Sequence, residues 1–460
     1  MINTPRKISV DQWDELYSQL VNAGQINPAK TKPLSWFVCN EGDLRLSKLQ
    51  FDNSPQALEL WNFLLTENDR LAKARQAGKK LVGTMKDLGT VPVLCYCFDE
   101  IVAFYPDGAW WIPCVMEMTD GLFAIADSLG VTEAYCPVRA MIGAFENCEH
   151  FPIPDMLISS TGAICDDFSA IAQLIENRGH KIHWWEIPHR RKPLADEEKI
   201  TLPGGFVAPK SQLDFVKNEI SEIQNALENL VGRKLSDQQI SAGISKANQV
   251  RSTLEKLRET VYCAPACPLG SLEMLIAEML AIHYCSDQNR TLEVLQKLLT
   301  LAQLRVEKGQ SVLDENAARI FWINPVADLQ AMNLLENAGG RITGCDYLFC
   351  HALDQIPHDV PPLDALAQMA LADPMIGSAC DRATRIITDI KKFGAEAVLI
   401  SKIPGASHCA TEGKIIGDMI SDSLNLPVVE IEVPPVLTVV APALETRLGA
   451  LVETVLSRRI

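Results

Sequence analysis

Several motifs are missing from this chain of 460 residues, and each absence removes a class of chemistry. None of the fourteen cysteines forms a CxxC pair, which argues against a zinc finger or ribbon, and the clustered CxxCxxC run of a ferredoxin is missing too. There is no GxGxxG following a strand and no GxxxxGK(S/T). The nearest stretch, ATEGKIIG, lacks the upstream glycine, so nucleotide binding by those loops is not expected. A GxSxG elbow and an HExxH helix are likewise lacking, which lowers hydrolase and zinc-protease readings. Positive charge is scarce: 42 Lys and Arg against 58 Asp and Glu leave a net charge of −16, the wrong sign for a nucleic-acid surface. No window holds eighteen consecutive apolar residues, and MINTPRKISVDQWDELYSQL lacks the apolar core of a signal peptide. A cytoplasmic protein with no membrane partner is expected.

What is abundant is cysteine. A chain this long can bury cores that need no stapling, so stability does not demand fourteen thiols. In a reducing compartment they are thiols or metal ligands rather than disulfides. The close pairs are Cys95/Cys97, Cys263/Cys267 and Cys345/Cys350, and any bound cluster must draw its ligands from distant loops.

The expected fold class is α/β, with two Rossmann-like (flavodoxin-like) lobes whose parallel sheets face across a cleft, plus N-terminal and central helical regions. Residues 1–88 form the N-terminal helical region, with Trp13, Leu16 and Leu20 at helical spacing and Asp11 as the cap. Residues 89–207 form the first lobe, with VPVLCYC, TEAYC, PDMLISS and KIHWWEI as strands. Residues 208–312 form a helical block; Leu213, Val216, Ile220, Ile223, Leu227 and Leu230 make one apolar stripe, and Ser236 with Gln239 makes a capping box. Residues 313–460 form the second lobe. Its last βαβ unit, AEAVLISKIPGASHCATEGKIIGDMISDSLNLPVVEIEV, places His408 and Cys409 in a loop at the carboxyl end of a strand, with Cys409 one residue ahead of the helix.

Cysteines recur at that kind of position. Cys97 and Cys136 follow expected strands, Cys165 precedes a helix, and Cys345, Cys350 and Cys380 lie in second-lobe loops. Any single one reads as an inert core thiol. Several at the ends of parallel strands fit an iron–sulfur site, where helix N-termini and backbone N–H groups stabilise a cluster's negative charge.

Four segments carry a resemblance: Cys97-Phe98-Asp99, Tyr135-Cys136-Pro137-Val138-Arg139, Pro154 through Gly162, and the Cys409 loop followed by LNLPVVEIE. In order and spacing, from about residue 90 to 435, they resemble the 2-hydroxyacyl-CoA dehydratase family, which includes the ATP-dependent (class I) benzoyl-CoA reductases and has double-cubane cluster proteins among its relatives. The resemblance implies a [4Fe-4S] cluster held by two cysteines of the first lobe and one of the second, here Cys97, Cys136 and Cys409. Cys95 competes with Cys97, and Cys165 and Cys380 match cysteines near the family's site. It further implies a low-potential reductase or dehydratase subunit acting on an acyl- or aroyl-CoA thioester, by ring reduction or by expulsion of a hydroxyl through a ketyl radical. Its partners would be a paralogous subunit or a second copy of itself, and a separate ATP-hydrolysing iron–sulfur activator. A non-catalytic electron-transfer or double-cubane subunit is the alternative. The extra thiols Cys345, Cys350 and Cys380 leave a double cubane open, but Asn324-Pro325-Val326-Ala327-Asp328 stands where a glycine-rich cysteine motif is expected, so a single cubane is preferred. His408 is the candidate proton donor, with a hydrogen bond to cluster or backbone as its other reading; His150, His183, His189 and His351 are weaker candidates. Arg139 is either an anchor for an anionic group or a structural ion pair.

Overall fold

The computed structural model describes residues 4–41, 44–85, 89–106, 119–162, 165–283, 286–347 and 352–459; of residues 41, 119, 120, 283 and 408–410 it describes the backbone alone. A short antiparallel pair, β1 (Lys7–Ile8) and β2 (Phe51–Asp52), ties together four helices: α1 (Val10–Asn22), α2 (Leu34–Glu41), α3 (Pro55–Leu65) and α4 (Glu67–Gln76). The cap of α1 is Ser9 rather than Asp11. Ser9 and Gln12 form a reciprocal capping box, and Asp11 sits in the first turn, where its charge meets the positive end of the helix dipole.

The first lobe's sheet includes Lys80–Met85 as strand β3, the second position from one edge. It is followed by α5 (Val91–Cys95), β4 (Ile101–Phe104), α6 (Thr119–Ser128), α7 (Ala140–Asn147), β5 (Met156–Gly162), α8 (Asp166–Glu176) and β6 (Ile182–Ile187). The sheet order is β4-β3-β5-β6, all parallel. Two expected strands are corrected. VPVLCYC forms helix α5 because Pro92 lies in its first turn, where a missing N–H costs nothing, whereas an inner strand would lose a ladder bond. TEAYC is a turn closed by Tyr135 N donating to Thr132 O (3.0 Å), after which Pro137 starts the 3-10 turn Pro137–Arg139.

A hairpin, β7 (Lys199–Thr201) with β8 (Val207–Pro209), leads to four long helices: α9 (Lys210–Val231), α10 (Asp237–Tyr262), α11 (Ser271–His283) and α12 (Gln288–Glu307). Leu213, Val216, Ile220, Ile223 and Leu227 bury the stripe of α9, and Ser236 and Gln239 cap α10 as expected. Helix α10 touches both lobes: Arg251 donates to Gly89 O (3.1 Å) before the first lobe's α5 and to Asp354 O (2.7 Å) in the second, and Asn248 donates to Ile356 O.

The second lobe repeats the plan of the first with β9 (Ala318–Ile323), α13 (Gln330–Asn337), β10 (Gly340–Asp346), α14 (Pro362–Leu371), α15 (Ala379–Phe393), β11 (Ala397–Lys402), α16 (Ser407–Leu424), β12 (Val428–Glu432) and α17 (Ala441–Ser457). Its parallel order is β10-β9-β11-β12. Ala318, Ile320, Phe321, Trp322 and Ile323 of β9 are all buried, as a strand covered on both faces requires. The molecule is thus an α/β protein with two Rossmann-like lobes, as expected.

Candidate functional site

In open parallel sheets, ligands bind outside the carboxyl ends of the strands, at the point where the strand order reverses. In the first lobe that point lies between β3 and β5, and in the second between β9 and β11. Cys165, three residues after the last residue of β5, Gly162, is the N-cap residue of α8. The loop after β11 leads into α16, which begins at Ser407. Cys409 is therefore the third residue of that helix and not one residue ahead of it. The two loops meet. Ser407 N and Ser407 Oγ both donate to Asp167 Oδ2 of the first lobe, at 3.1 and 2.8 Å, and Cys165 Sγ lies 3.9 Å from the same oxygen.

A second contact closes the seam beside Cys136. Gly405 has φ +79°, and a Cβ there would stand 2.4 Å from Tyr135 O and 2.8 Å from Glu133 O. Only glycine allows both that backbone conformation and that approach. Cys136, 9% exposed, follows Tyr135 and caps the Pro137–Arg139 turn. Backbone preceding Cys136, the Cys165–Asp167 segment and the start of the Cys409 helix therefore converge from two lobes. The side chains of His408 and Cys409 fall outside the described residues, as do Cys350 and His351 altogether. Among the described residues no three His, Cys, Asp or Glu side chains are gathered as a ligand set.

Cys97 points elsewhere. Its thiol donates to Val93 O (3.3 Å) and packs on helix α10, where a Cβ at Gly243 would lie 2.6 Å from the sulfur. Burial pushes the thiol up to about 12, against the pull of Lys246 and Arg233. Cys95 is buried as the last residue of α5. Cys345 lies inside strand β10 rather than in a loop, donating its thiol proton to Glu278 Oε2 (2.7 Å), and Cys380 is exposed in the first turn of α15.

Of the weaker candidates, His183 has Glu222, Glu219 and Lys181 as its charged neighbours, and burial lowers its pKa; burial also lowers that of His150. The His189 carbonyl accepts from Gln212 (2.7 Å). Arg139 donates to Asp127 Oδ1 (3.3 Å) and stacks on Phe123 with its guanidinium 4.2 Å from the ring centre, which is the structural ion-pair reading.

Nothing local in the chain marks the residues that hold α16 from behind. Arg382, 1% exposed, donates to Asp346 at the end of β10, to Asn324 Oδ1 (2.8 Å) at the end of β9 and to Glu412 Oε2 (3.2 Å) on α16. Asn324 sits at φ +70° and donates to Ser401 O (3.0 Å) at the end of β11. One arginine thus binds the ends of two strands to the helix that carries Cys409. The amphipathic pattern of α15 marks its buried face, but an arginine on that face is readable only with its three partners in place.

A [4Fe-4S] cluster needs soft, shielded thiolates and a polar backbone surround. The seam offers Cys136 and Cys165 on one side and, on the other, the start of α16 with its first-turn N–H groups, so the donor types fit such a group. Fold and site together define a two-lobed α/β protein with thiol-bearing loops where the lobes meet. The chain belongs to the family described as 2-hydroxyglutaryl-CoA dehydratase, D-component, which matches residues 92–455. The match leaves out β3, although that strand is part of the first lobe's sheet. A search of curated proteins found no match to the chain. Among the described residues no helix is long and apolar enough to cross a membrane.

Proposed function

We propose that the chain is the iron–sulfur subunit of a dehydratase acting on a 2-hydroxyacyl-CoA thioester, with Cys136, Cys165 and Cys409 holding a [4Fe-4S] cluster. The observation that carries this is the seam: two thiol-bearing segments of the first lobe and the Cys409 helix of the second meet there, in a chain of this family. The set keeps two ligands from the first lobe and one from the second, but Cys165 replaces Cys97. Family membership favours dehydration over aromatic ring reduction.

Held by these three thiolates, the cluster would supply one-electron chemistry. The chain's own residues do the rest. Cys136 and Cys165 present thiolates from a largely buried wall, and the N–H groups of α16 face the negative charge. Arg382 and Asp167 fix where that helix starts. His408, beside Cys409, is positioned in sequence to hold a proton at the site. The electron donor is a separate ATP-hydrolysing activator, and a paralogous subunit or second copy completes the enzyme in the cytoplasm.

Iron and sulfide analysis of anaerobically purified protein tests the proposal. About four irons per chain are expected, falling sharply in Cys136→Ser, Cys165→Ser and Cys409→Ser. A preparation that dehydrates its substrate at full rate without iron would overturn it.

A further inference from the structure

Helix α16 starts without a cap from its own segment. Its N-cap residue is Ala406, which has no side chain able to accept a hydrogen bond from the first-turn N–H groups. The missing acceptor comes from the other lobe. Asp167, the second residue of α8 and 9% exposed, accepts from both Ser407 N (3.1 Å) and Ser407 Oγ (2.8 Å) through one oxygen, across 240 residues of chain. That oxygen also lies 3.9 Å from Cys165 Sγ. One carboxylate therefore links the first lobe's thiol loop to the first turn of the helix carrying Cys409. The rear of α16 is held separately, by Glu412 on Arg382. What Arg382 leaves undetermined is the placement of the first turn relative to the opposite lobe.

We infer that Asp167 is a positioning residue: a cap supplied in trans that sets the register of the two lobes, and through it the separation at which Cys136 and Cys165 meet Cys409. This rests on the reading of the seam as a cluster site. The competing account is that Asp167 merely caps a helix. The two differ in a measurable way, because a cap can be restored from within α16 while the link between the lobes cannot.

The test uses the full chain as wild type, Asp167→Ala, Ala406→Ser and the double variant, purified without oxygen. Amide exchange at residues 407–410 in the metal-free protein reports the cap, and iron retained against a chelator together with the EPR line shape reports the ligand geometry. Asp167→Ala should speed exchange by about 2- to 30-fold, the usual worth of a cap, and speed iron loss by about 10-fold or more, as for other groups that orient ligands. In the double variant, the Ala406→Ser change is expected to restore slow exchange but neither iron retention nor the wild-type spectrum. Restoration of all three, or wild-type iron retention in Asp167→Ala, would reduce Asp167 to a helix cap and overturn the inference. If Asp167→Ala does not fold, Ser407→Ala removes the shorter of the two bonds at an exposed residue and carries the same expectation at smaller amplitude. If the wild type itself binds no iron, the cluster reading fails on its own. The link between lobes is then read from a short thiol cross-linker between Cys165 and Cys409 in the metal-free protein: slower bridging in Asp167→Ala supports it, and an unchanged rate overturns it.

Discussion

Counted from its own first strand, each lobe has its sheet in the order 2-1-3-4, and among the described residues one helix lies between the first two strands, two between the second and third, and one between the third and fourth. Positions therefore correspond. Cys165 at the start of α8 matches the start of α16 with Cys409, and Cys136 ahead of α7 matches Cys380 in the first turn of α15. The interiors differ. Among the described residues, the buried charges between residues 80 and 187 are Arg139 and Asp167, both within three residues of a seam cysteine, whereas the second lobe buries Asp328, Glu336, Arg341, Asp346, Asp373 and Arg382. The first lobe's inner strands β3 and β5 carry buried neutral hydroxyls, Thr84, Ser159 and Ser160. The same scaffold thus serves two ends: the first lobe places its few buried charges at the seam, and the second uses ions to fix its strand ends and one helix.

The largest expected effect breaks the comparison at its thiols. Cys165→Ser should strip the bound iron, while Cys97→Ser should leave iron content unchanged, because the Cys97 sulfur lies against Gly243. Loss of iron in Cys97→Ser with retention in Cys165→Ser would restore the set implied by resemblance alone. Next in size is Arg382→Ala. Removing a buried cation from Asp346, Asn324 and Glu412 leaves uncompensated partners, a change worth about 3–5 kcal/mol in urea unfolding. A loss below about 1 kcal/mol would show that this network is ordinary surface pairing.

Buried ionisable groups extend from the second lobe into the helices that support it, and one of them sets a pH dependence. Glu273 on α11 accepts from Asp52 N and Trp61 Nε1; burial, with repulsion from Asp52, raises its pKa from 4.5 to about 7. The folded state then holds the proton more tightly than the unfolded state. Its contribution to stability is full below about pH 4.5 and is lost as pH rises through about 7. Glu273→Gln keeps the acceptor oxygen and should flatten that slope between about pH 5 and pH 7, read as urea midpoint against pH; an unchanged slope would place the titration elsewhere.

What is legible in the chain follows from which forces act locally. The stripe of α9, the capping box of α10 and the strands β5, β6 and β11 follow from apolar patterning and short-range hydrogen bonding, and the structure has them where the sequence puts them. VPVLCYC misleads because an apolar run carries no period, so that Pro92 is the one sign of a helix. KLVGTM is hidden for the opposite reason: with glycine inside and helices before it, nothing local marks it as an inner strand. Cys136 and Cys409 stand out in the sequence by their place after apolar runs and by the resemblance. The packing of Cys97 is not legible in this way, because it depends on Gly243, distant in the chain, arriving against its sulfur. Asp167 and Arg382 escape notice for the same reason, since their partners exist only once the chain is folded.

The smallest expected effect sharpens the comparison at its corresponding arginines. Arg139 stands three residues after Cys136 and Arg382 two after Cys380, each near the start of the helix that precedes the lobe's third strand. Their environments are opposite. The Arg382 partner Asp346 has a side chain 6% exposed, whereas the Arg139 partner Asp127 is 51% exposed. Water and salt screen the Asp127 pair, and the Phe123 ring already holds the guanidinium from its face. Asp127→Ala should therefore cost about 1 kcal/mol or less, and less still in about 1 M salt, while Asp346→Ala should approach the loss seen for Arg382→Ala and change little with salt. Equal, salt-insensitive losses at Asp127 and Asp346 would mean that both lobes lock their strand ends with ions, and the distinction between a thiol-presenting lobe and an ion-fixed lobe would fall.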